Sequence, residues 1–323
     1  MSWAIRIHTH GGPEVMKWEQ VPTPQPGPNE ALIRHKAIGL NFIDVYFRTG
    51  LYKAALPCIL GMEGAGEVIA IGEKVTNVVP GDRVAYAGGA LGAYATERVI
   101  NAEKLVKLPD AIDFKTAASM MLQGLTAYFL LHRTFKIQAG QTILVHAAAG
   151  GVGQILCQWA SHLGCQVIAV VSSEPKAEIA RANGAAHVII GYKNLPAEVR
   201  RITQGAMVPV VYDGVGKDTF DASLDCLAPL GLMVSFGNAS GPVPPVDLAT
   251  LNAKGSLFLT RPSLSTYMAT PKDLAAGATS LFDAVLSGAI KININQTFPL
   301  EQAASAHAAL EARQTTGSTV LLP

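Results

Sequence analysis

The stretch Thr142–Gly164, TILVHAAAGGVGQILCQWASHLG, decides the fold. Ile143-Leu144-Val145 is an apolar run of the length of one buried strand. The chain then turns through Ala147-Ala148-Ala149-Gly150-Gly151-Val152-Gly153, and apolar residues return at helical spacing: Ile155, Leu156, Trp159, Ala160 and Leu163. Strand, glycine turn and helix in this order form the context in which a glycine fingerprint predicts a dinucleotide site. Glycines let backbone approach a pyrophosphate, and the helix N-terminus offers unpaired N–H groups and the positive end of its dipole. The first glycine of G-x-G-x-x-G is an alanine here, Ala148-x-Gly150-x-x-Gly153. Alanine permits the turn only where its φ is negative.

Composition narrows the function classes. A chain of 323 residues has room for two domains and a large core. With 49% apolar and 15% charged residues it reads as globular, and a net charge of +1 gives no electrostatic case for nucleic acid or a membrane surface. No apolar run is long enough for a membrane span and no secretory pattern opens the chain, so the expected address is the cytoplasm. Cys58, Cys157, Cys165 and Cys226 contain no C-x-x-C pair, which predicts free thiols.

Trp3 to about Val106 reads as short strands, including 31–37 and 66–72, broken by Pro22, Pro24, Pro26 and Pro28 and by turns at 11–13 and 80–82. This predicts a small, mainly β domain. Helical patterns follow at 117–122 and 126–131. After 142–146 the strands 166–171, 187–190, 208–212 and 232–236 alternate with helices 174–182, 196–203 and 219–227. A strand at 256–260, helices at 273–287 and 300–313 and a strand at 318–322 complete the chain. The alternation predicts an α/β fold with a doubly wound parallel sheet, and the C-terminal pieces are expected to return to the first domain.

The end of the second strand selects the adenosine ribose. A carboxylate there binds a 2′-OH and repels a 2′-phosphate. Here Val171 is followed by Ser172-Ser173-Glu174-Pro175-Lys176. Hydroxyls and an ammonium suit a phosphate and predict NADPH. Glu174 is the one feature against it, and the serines suit helix capping as well.

Asn41-Phe42-Ile43-Asp44-Val45-Tyr46, Gly50-Leu51-Tyr52, Gly61-Met62-Glu63-Gly64-Ala65-Gly66, Pro80-Gly81-Asp82-Arg83-Val84 and the fingerprint together resemble the medium-chain dehydrogenase/reductase superfamily. Within it they resemble the zinc-independent quinone oxidoreductases related to zeta-crystallin. Val211–Gly216, Gly231–Asn238 and Arg261-Pro262-Ser263 extend the resemblance almost to the C-terminus.

The resemblance implies a GroES-like β-rich catalytic domain (1–123 and 262–323) and a Rossmann domain (124–261). It implies NADPH-dependent reduction of quinones in an apolar interdomain cleft, and homodimers or homotetramers formed through the Rossmann domain. Asn41, Asp44, Tyr46 and Tyr52 fall in the family's active-site segment. The tyrosines are expected as walls or hydroxyl donors, Asn41 as a polar group near the nicotinamide, and Asp44 as the orienter of a tyrosine or a ribose hydroxyl. Half-buried packing is the alternative for the tyrosines. Gln123 and Thr126 fall near the nicotinamide, and Gly150, Gly151, Val152 and Gly153 at the pyrophosphate. Ser172, Lys176 and Tyr192 fall at the 2′-phosphate. Gly214, Gly216, Phe236, Gly237, Asn238, Ser240 and Arg313 border the cofactor's other flanks, a solvated surface role being the alternative for Arg313.

Zinc-dependent relatives place a cysteine at Asn41 and a histidine at Met62. Asn, Met and an isolated Glu63 make no tight zinc site, so no metal is expected. Without a Lewis acid, polarisation must come from hydrogen bonds or from the substrate itself, and a quinone fits because it accepts hydride or electrons readily. An enone or 2-alkenal reductase is the alternative, and it asks for a proton donor such as Tyr46 or Tyr52. A non-catalytic crystallin-like or RNA-binding protein is a third reading, one that the near-neutral charge does not favour.

Overall fold

The computed structural model describes all residues from Met1 to Pro323. The chain divides into two units: Met1–Leu125 with Met268–Leu286 and Ile292–Pro323, and Thr126–Tyr267 with Ser287–Lys291.

The second unit is built on a six-stranded sheet whose pairings are all parallel. Its spatial order is His187–Ile190, Gln166–Val171, Thr142–His146, Val208–Asp213, Leu227–Ser235, Phe258–Thr260. The first strand in sequence lies third, so the winding reverses between Thr142–His146 and Val208–Asp213, paired through Val211↔Leu144 and Tyr212↔Val145. Ligands of such sheets bind outside the C-terminal strand ends at that reversal. Leu144, Ile168, Val170, Val208, Val211, Leu224 and Met233 fill one core beneath it.

The fingerprint folds as its pattern predicts. Gly150 caps the helix Gly151–His162, which buries Ile155, Leu156, Trp159 and Ala160 and ends at Gly164, φ 83°. Ala148 keeps a negative φ, and the left-handed residue of the turn is Ala147, φ 50°. Gly153 serves close packing, because a Cβ there would lie 2.3 Å from the Ala147 carbonyl oxygen and 2.7 Å from the Ala148 Cα.

Some boundaries differ from the sequence expectation. The strand expected at 232–236 begins at Leu227, and the helix expected over 219–227 is only Phe220–Asp225. Parallel pairing of Val208 with Leu227 pulls the earlier residues into the sheet. The helix expected over 300–313 is a 3-10 turn, Leu300–Gln302, followed by Ala303–Glu311.

In the first unit a seven-stranded sheet centres on Glu30–Leu40, which pairs with Glu63–Ile71, Glu97–Asn101 and the C-terminal strand Ser318–Leu322. The C-terminal strand is therefore joined to the N-terminal part of the chain in one sheet. Ser2–Ile7, Lys17–Val21 and Cys58–Ile59 form a smaller one. Their common core holds Ile5, Ile33, Ile38, Leu60, Tyr86, Tyr94, Leu300 and Leu321. The segment Phe42–Thr49 is a helix, opened by Asn41 and closed by Gly50 at φ 82°.

The contacts of the two fingerprint glycines predict different costs. A Cβ at Gly150 would meet only the Ala147 carbonyl oxygen, at 3.2 Å. Gly153→Ala is expected to lower unfolding free energy by about 1–3 kcal/mol, as overpacking does, and Gly150→Ala by less. Urea midpoints at unchanged slope measure both.

Candidate active site

The segment opened by Asn41 carries a dense set of buried polar groups. Asn41 Nδ2 donates to Glu63 Oε2 at 2.6 Å, and Gln123 Nε2 donates to Asn41 Oδ1 at 3.2 Å. Ser318 Oγ donates to Gln123 Oε1 at 2.8 Å, and the Leu122 backbone N–H donates to Glu63 Oε1 at 2.7 Å. The strand Glu30–Leu40 ends at Asn41, Glu63–Ile71 begins with Glu63, and the helix Phe114–Phe129 supplies Leu122 and Gln123. Three elements thus fix which end of the Asn41 amide is donor and which is acceptor. Burial without a cationic partner pushes the Glu63 carboxyl up to about 8, against its hydrogen bonds from Asn41 and Leu122.

Asp44 faces inward and is fully buried. Its Oδ2 accepts the Asn41 backbone N–H at 2.9 Å and the Tyr94 hydroxyl at 3.0 Å. Burial raises its pKa to about 7, again against those bonds. Tyr46 is buried and Tyr52 half-buried. Their rings lie 5.2 Å apart edge-on, Phe42 stands 5.6 Å from Tyr46, and Phe47 stands 5.6 Å from Tyr52. These rings cluster on and just after the helix that Asn41 opens. Thr126 is buried in the following turn of the Gln123 helix.

In the second unit the fingerprint helix has neither a side-chain cap nor an acidic residue in its first turn. Its N-terminal N–H groups and dipole are suited to an anionic ligand such as a pyrophosphate. Beneath this turn, at the reversal of the sheet, one carboxylate organises the neighbouring turn. Asp213 Oδ1 accepts from the N–H groups of Val215 and Gly216 at 2.7 and 3.1 Å. Its Oδ2 accepts from Thr219 Oγ1 at 2.6 Å and Ser223 Oγ at 2.9 Å. Ser223 also meets His146 Nε2 at 2.9 Å, and His146 is held low by burial, which the nearby Asp213 charge opposes. The serine proton is committed to the aspartate, so this Ser–His–Asp set is scaffolding, not a nucleophile. It ties the strand end before Ala147 to the Gly214–Gly216 turn, where Gly216 sits at φ 94°.

On the adenosine side, Ser172 is exposed, and Lys176 and Tyr192 are half-buried. Glu174, the feature against a 2′-phosphate, bonds Arg181 at 2.8 Å. Phe236, Gly237, Asn238 and Ser240 follow the fifth strand, where Ser240 Oγ bonds the Val215 carbonyl at 2.9 Å and Arg261 the Gly237 carbonyl at 3.0 Å. Arg313 is exposed in the first unit at φ 59°. Sequence reasoning missed Tyr94, His307, Arg48, His146, Asp213, Thr219 and Ser223. The signal was present only as polar side chains in apolar surroundings, such as His146 closing a hydrophobic strand.

The donor set does not fit zinc. The amide at Asn41 is held by Glu63 and Gln123, both Glu63 oxygens accept N–H groups, and Met62 adds only a thioether. No three His, Cys, Asp or Glu side chains converge closely enough to hold a metal ion.

The buried groups predict a stability maximum close to neutrality. Asp44 and Glu63 have raised folded pKa values, so their contribution is complete below the unfolded values and lost as pH rises toward about 7 and about 8. His35, His132, His146 and His307 are lowered from 6.5, so stability is lost as pH falls below that value and the unfolded chain takes up protons. Unfolding free energy is therefore expected to peak at about pH 6.5 and to fall on both sides. Urea titrations from about pH 5 to 8.5 measure it, and an increase from pH 7 to 8.5 contradicts the assignment.

Residues 27–110 match the alcohol dehydrogenase GroES-like domain family, and residues 151–282 the zinc-binding dehydrogenase family. A quinone oxidoreductase of Pseudomonas aeruginosa is 55% identical over 325 residues, covering 100% of both chains. A 2-haloacrylate reductase of a Burkholderia species is 44% identical over 100% of this chain and 99% of its own. The crystal structure of Escherichia coli quinone oxidoreductase complexed with NADPH superposes with a TM-score of 0.98 at 48% identity, covering 99% of this chain and 100% of that one. The two units are thus a GroES-like domain and a Rossmann domain, and the chain belongs to the quinone oxidoreductases of the medium-chain dehydrogenase/reductase superfamily.

Proposed function

We propose that this chain is an NADPH-dependent quinone reductase that works without a metal. The observation that carries the reading is the hydrogen-bonded amide of Asn41 at the head of an aromatic-rich helix, in a chain 48% identical throughout to an NADPH-binding quinone oxidoreductase. When bound, NADPH supplies a hydride; with one proton, that converts a quinone to its hydroquinone. The protein's task is to orient a flat acceptor and exclude water. Tyr46 and Tyr52 offer ring faces and edges to such an acceptor. Asn41 keeps a spare N–H and a spare lone pair for the reacting groups, and Gln123 borders it.

The fingerprint turn Gly150–Gly153 would hold the pyrophosphate, and Ser172, Lys176 and Tyr192 the 2′-phosphate. The Gly214–Gly216 turn, the Phe236–Ser240 segment and Arg313 complete the cofactor's surroundings. Pairing of Glu174 with Arg181 favours the phosphate, since a neutralised carboxylate repels it less.

We place the enzyme in the cytoplasm; no helix is long and apolar enough to cross a membrane. Assembly as a homodimer or homotetramer through the Rossmann unit is supported by its edge strand Phe258–Thr260, where Phe258 is 61% exposed and Leu259 37%.

Oxidation of NADPH with a panel of quinones, enones and 2-haloacrylates tests the acceptor. Turnover of quinones unaffected by a zinc chelator is expected. Turnover confined to activated double bonds, the chemistry named for the Burkholderia relative, would replace the reading. Lys176→Ala is expected to raise the KM for NADPH about tenfold, the worth of one charge-assisted hydrogen bond, and that for NADH by under about twofold. Equal effects on both cofactors would remove Lys176 from the phosphate site.

A further inference from the structure

The mechanism leaves unused a line of buried polar groups that begins on the C-terminal helix and ends at the active-site segment. Arg48 and Tyr94 are fully buried, as are Asp44 and His307. Arg48 Nε donates to the Gly11 carbonyl at 3.1 Å, Nη2 to Glu311 at 2.8 Å, and Nη1 meets His307 Nδ1 at 3.2 Å. His307 Nε2 meets the Tyr94 hydroxyl at 3.0 Å, and that hydroxyl meets Asp44 Oδ2 at 3.0 Å.

A guanidinium only donates, so His307 Nδ1 carries the lone pair and Nε2 carries the proton. That proton points to Tyr94, whose own proton goes to Asp44. Every donor in the line points the same way, from the cation toward the carboxylate. Asp44 Oδ2 also holds the Asn41 N–H, whereas its Oδ1 is buried with no partner. The ionised form therefore rests on the two donors at Oδ2 alone.

We propose that Arg48, His307 and Tyr94 are positioning residues for the reaction: their one-way donor line favours the ionised form of Asp44 against its burial, and the Asp44 carboxylate in turn holds Asn41 in its working orientation. The line acts on the reaction through Asp44 and touches neither substrate nor cofactor. It makes the C-terminal helix, 259 residues away in sequence, part of the active-site scaffold. The inference rests on the reductase reading for its activity readout alone.

The groups acting on Asp44 set the expected pH dependence. Tyr94 and the Asn41 N–H favour its charged form, and burial disfavours it. Glu63 lies close enough for the two carboxyls to oppose each other's ionisation. Tyr86 and Tyr94 both feel the Asp44 charge, and Arg48 opposes that effect at Tyr94. His307 is held at about 3 by burial and by Arg48, so it stays neutral through the working range. Removing the Tyr94 hydroxyl takes one donor from a buried charge, worth about one pH unit.

The test is kcat/KM for 1,4-benzoquinone at saturating NADPH from about pH 5.5 to 9, in wild type, Tyr94→Phe and Asp44→Asn. Tyr94→Phe is expected to move the acid limb up by about one unit, a loss of roughly tenfold at pH 6 that shrinks below about threefold at pH 9. Asp44→Asn can keep both bonds at the Oδ2 position, because both donors meet that single oxygen. It should lose the limb assigned to Asp44 whether or not Tyr94→Phe folds. The same fractional loss at every pH in Tyr94→Phe, or an unchanged acid limb in Asp44→Asn, overturns the proposal. If the wild type reduces no quinone, the reductase reading fails and the infrared carboxyl band decides the inference. An Asp44 band that titrates about one unit higher in Tyr94→Phe upholds it, and an unmoved band overturns it.

Discussion

The 2.6 Å hydrogen bond from the Asn41 amide to Glu63 is the contact on which the catalytic unit turns. A carboxyl is buried there with no cation beside it, which costs free energy unless its oxygens are met by donors. Asn41 meets one oxygen and the Leu122 backbone the other. Any residue at position 41 that cannot donate would leave that oxygen bare. The same bond fixes the amide's direction, so a single contact both satisfies the buried acid and aims the group expected at the reacting centre. Gly39 shares the constraint: a Cβ there would lie 2.4 Å from Glu63 Oε2. The strand must therefore arrive at Asn41 through a glycine.

The Rossmann unit solves a parallel problem with a different carboxylate. Asp213 accepts four hydrogen bonds, two from the turn that follows it and two from hydroxyls of the next helix region. Through Ser223 it reaches His146, the last residue of the first strand. Two loops expected to border the cofactor are thereby referenced to one buried charge. In both units a buried carboxylate with several donors sets loop geometry, and apolar packing carries the sheet beneath.

What was legible in the sequence follows from the range of the physics. The fingerprint strand and helix are local: Ile143 to Val145 and Ile155 to Leu163 show their periods within one window, and the parallel sheet follows from the alternation of strands and helices. Asn41, Met62 and Glu63 could be read as lacking a zinc donor set from residue chemistry alone. The contacts that orient them could not. Arg48 and His307 are 259 positions apart, Tyr94 and His307 213, and Ser223 and His146 77. Nothing in a local window pairs such residues; only the closure of the sheet by Ser318–Leu322 on Glu30–Leu40 brings the C-terminal segment home. The condition set on the fingerprint's alanine is met, since Ala148 keeps a negative φ. The motif draws attention to Ala148, where glycine is usual, whereas the turn takes its positive φ at Ala147.

Loss of a metal changes what the scaffold must supply. A Lewis acid polarises its ligand directly, and the protein around it fixes the ion's coordination geometry and the shape of the cavity. An amide has a modest dipole and acts only when aimed. In the line Ser318, Gln123, Asn41, Glu63 each side chain determines the orientation of the next, starting from a hydroxyl and ending at a carboxyl. A chain of this kind cannot be shortened without freeing the amide to rotate. Where zinc-dependent relatives need ligands at three positions, this enzyme needs a hydrogen-bonded frame drawn from the central strand, the strand beginning at Glu63, the helix of Gln123 and the C-terminal strand. That is why its polar groups at the site are so thoroughly buried, with Asn41 6% and Gln123 7% exposed: burial strengthens each bond and leaves the aimed amide as the face that remains.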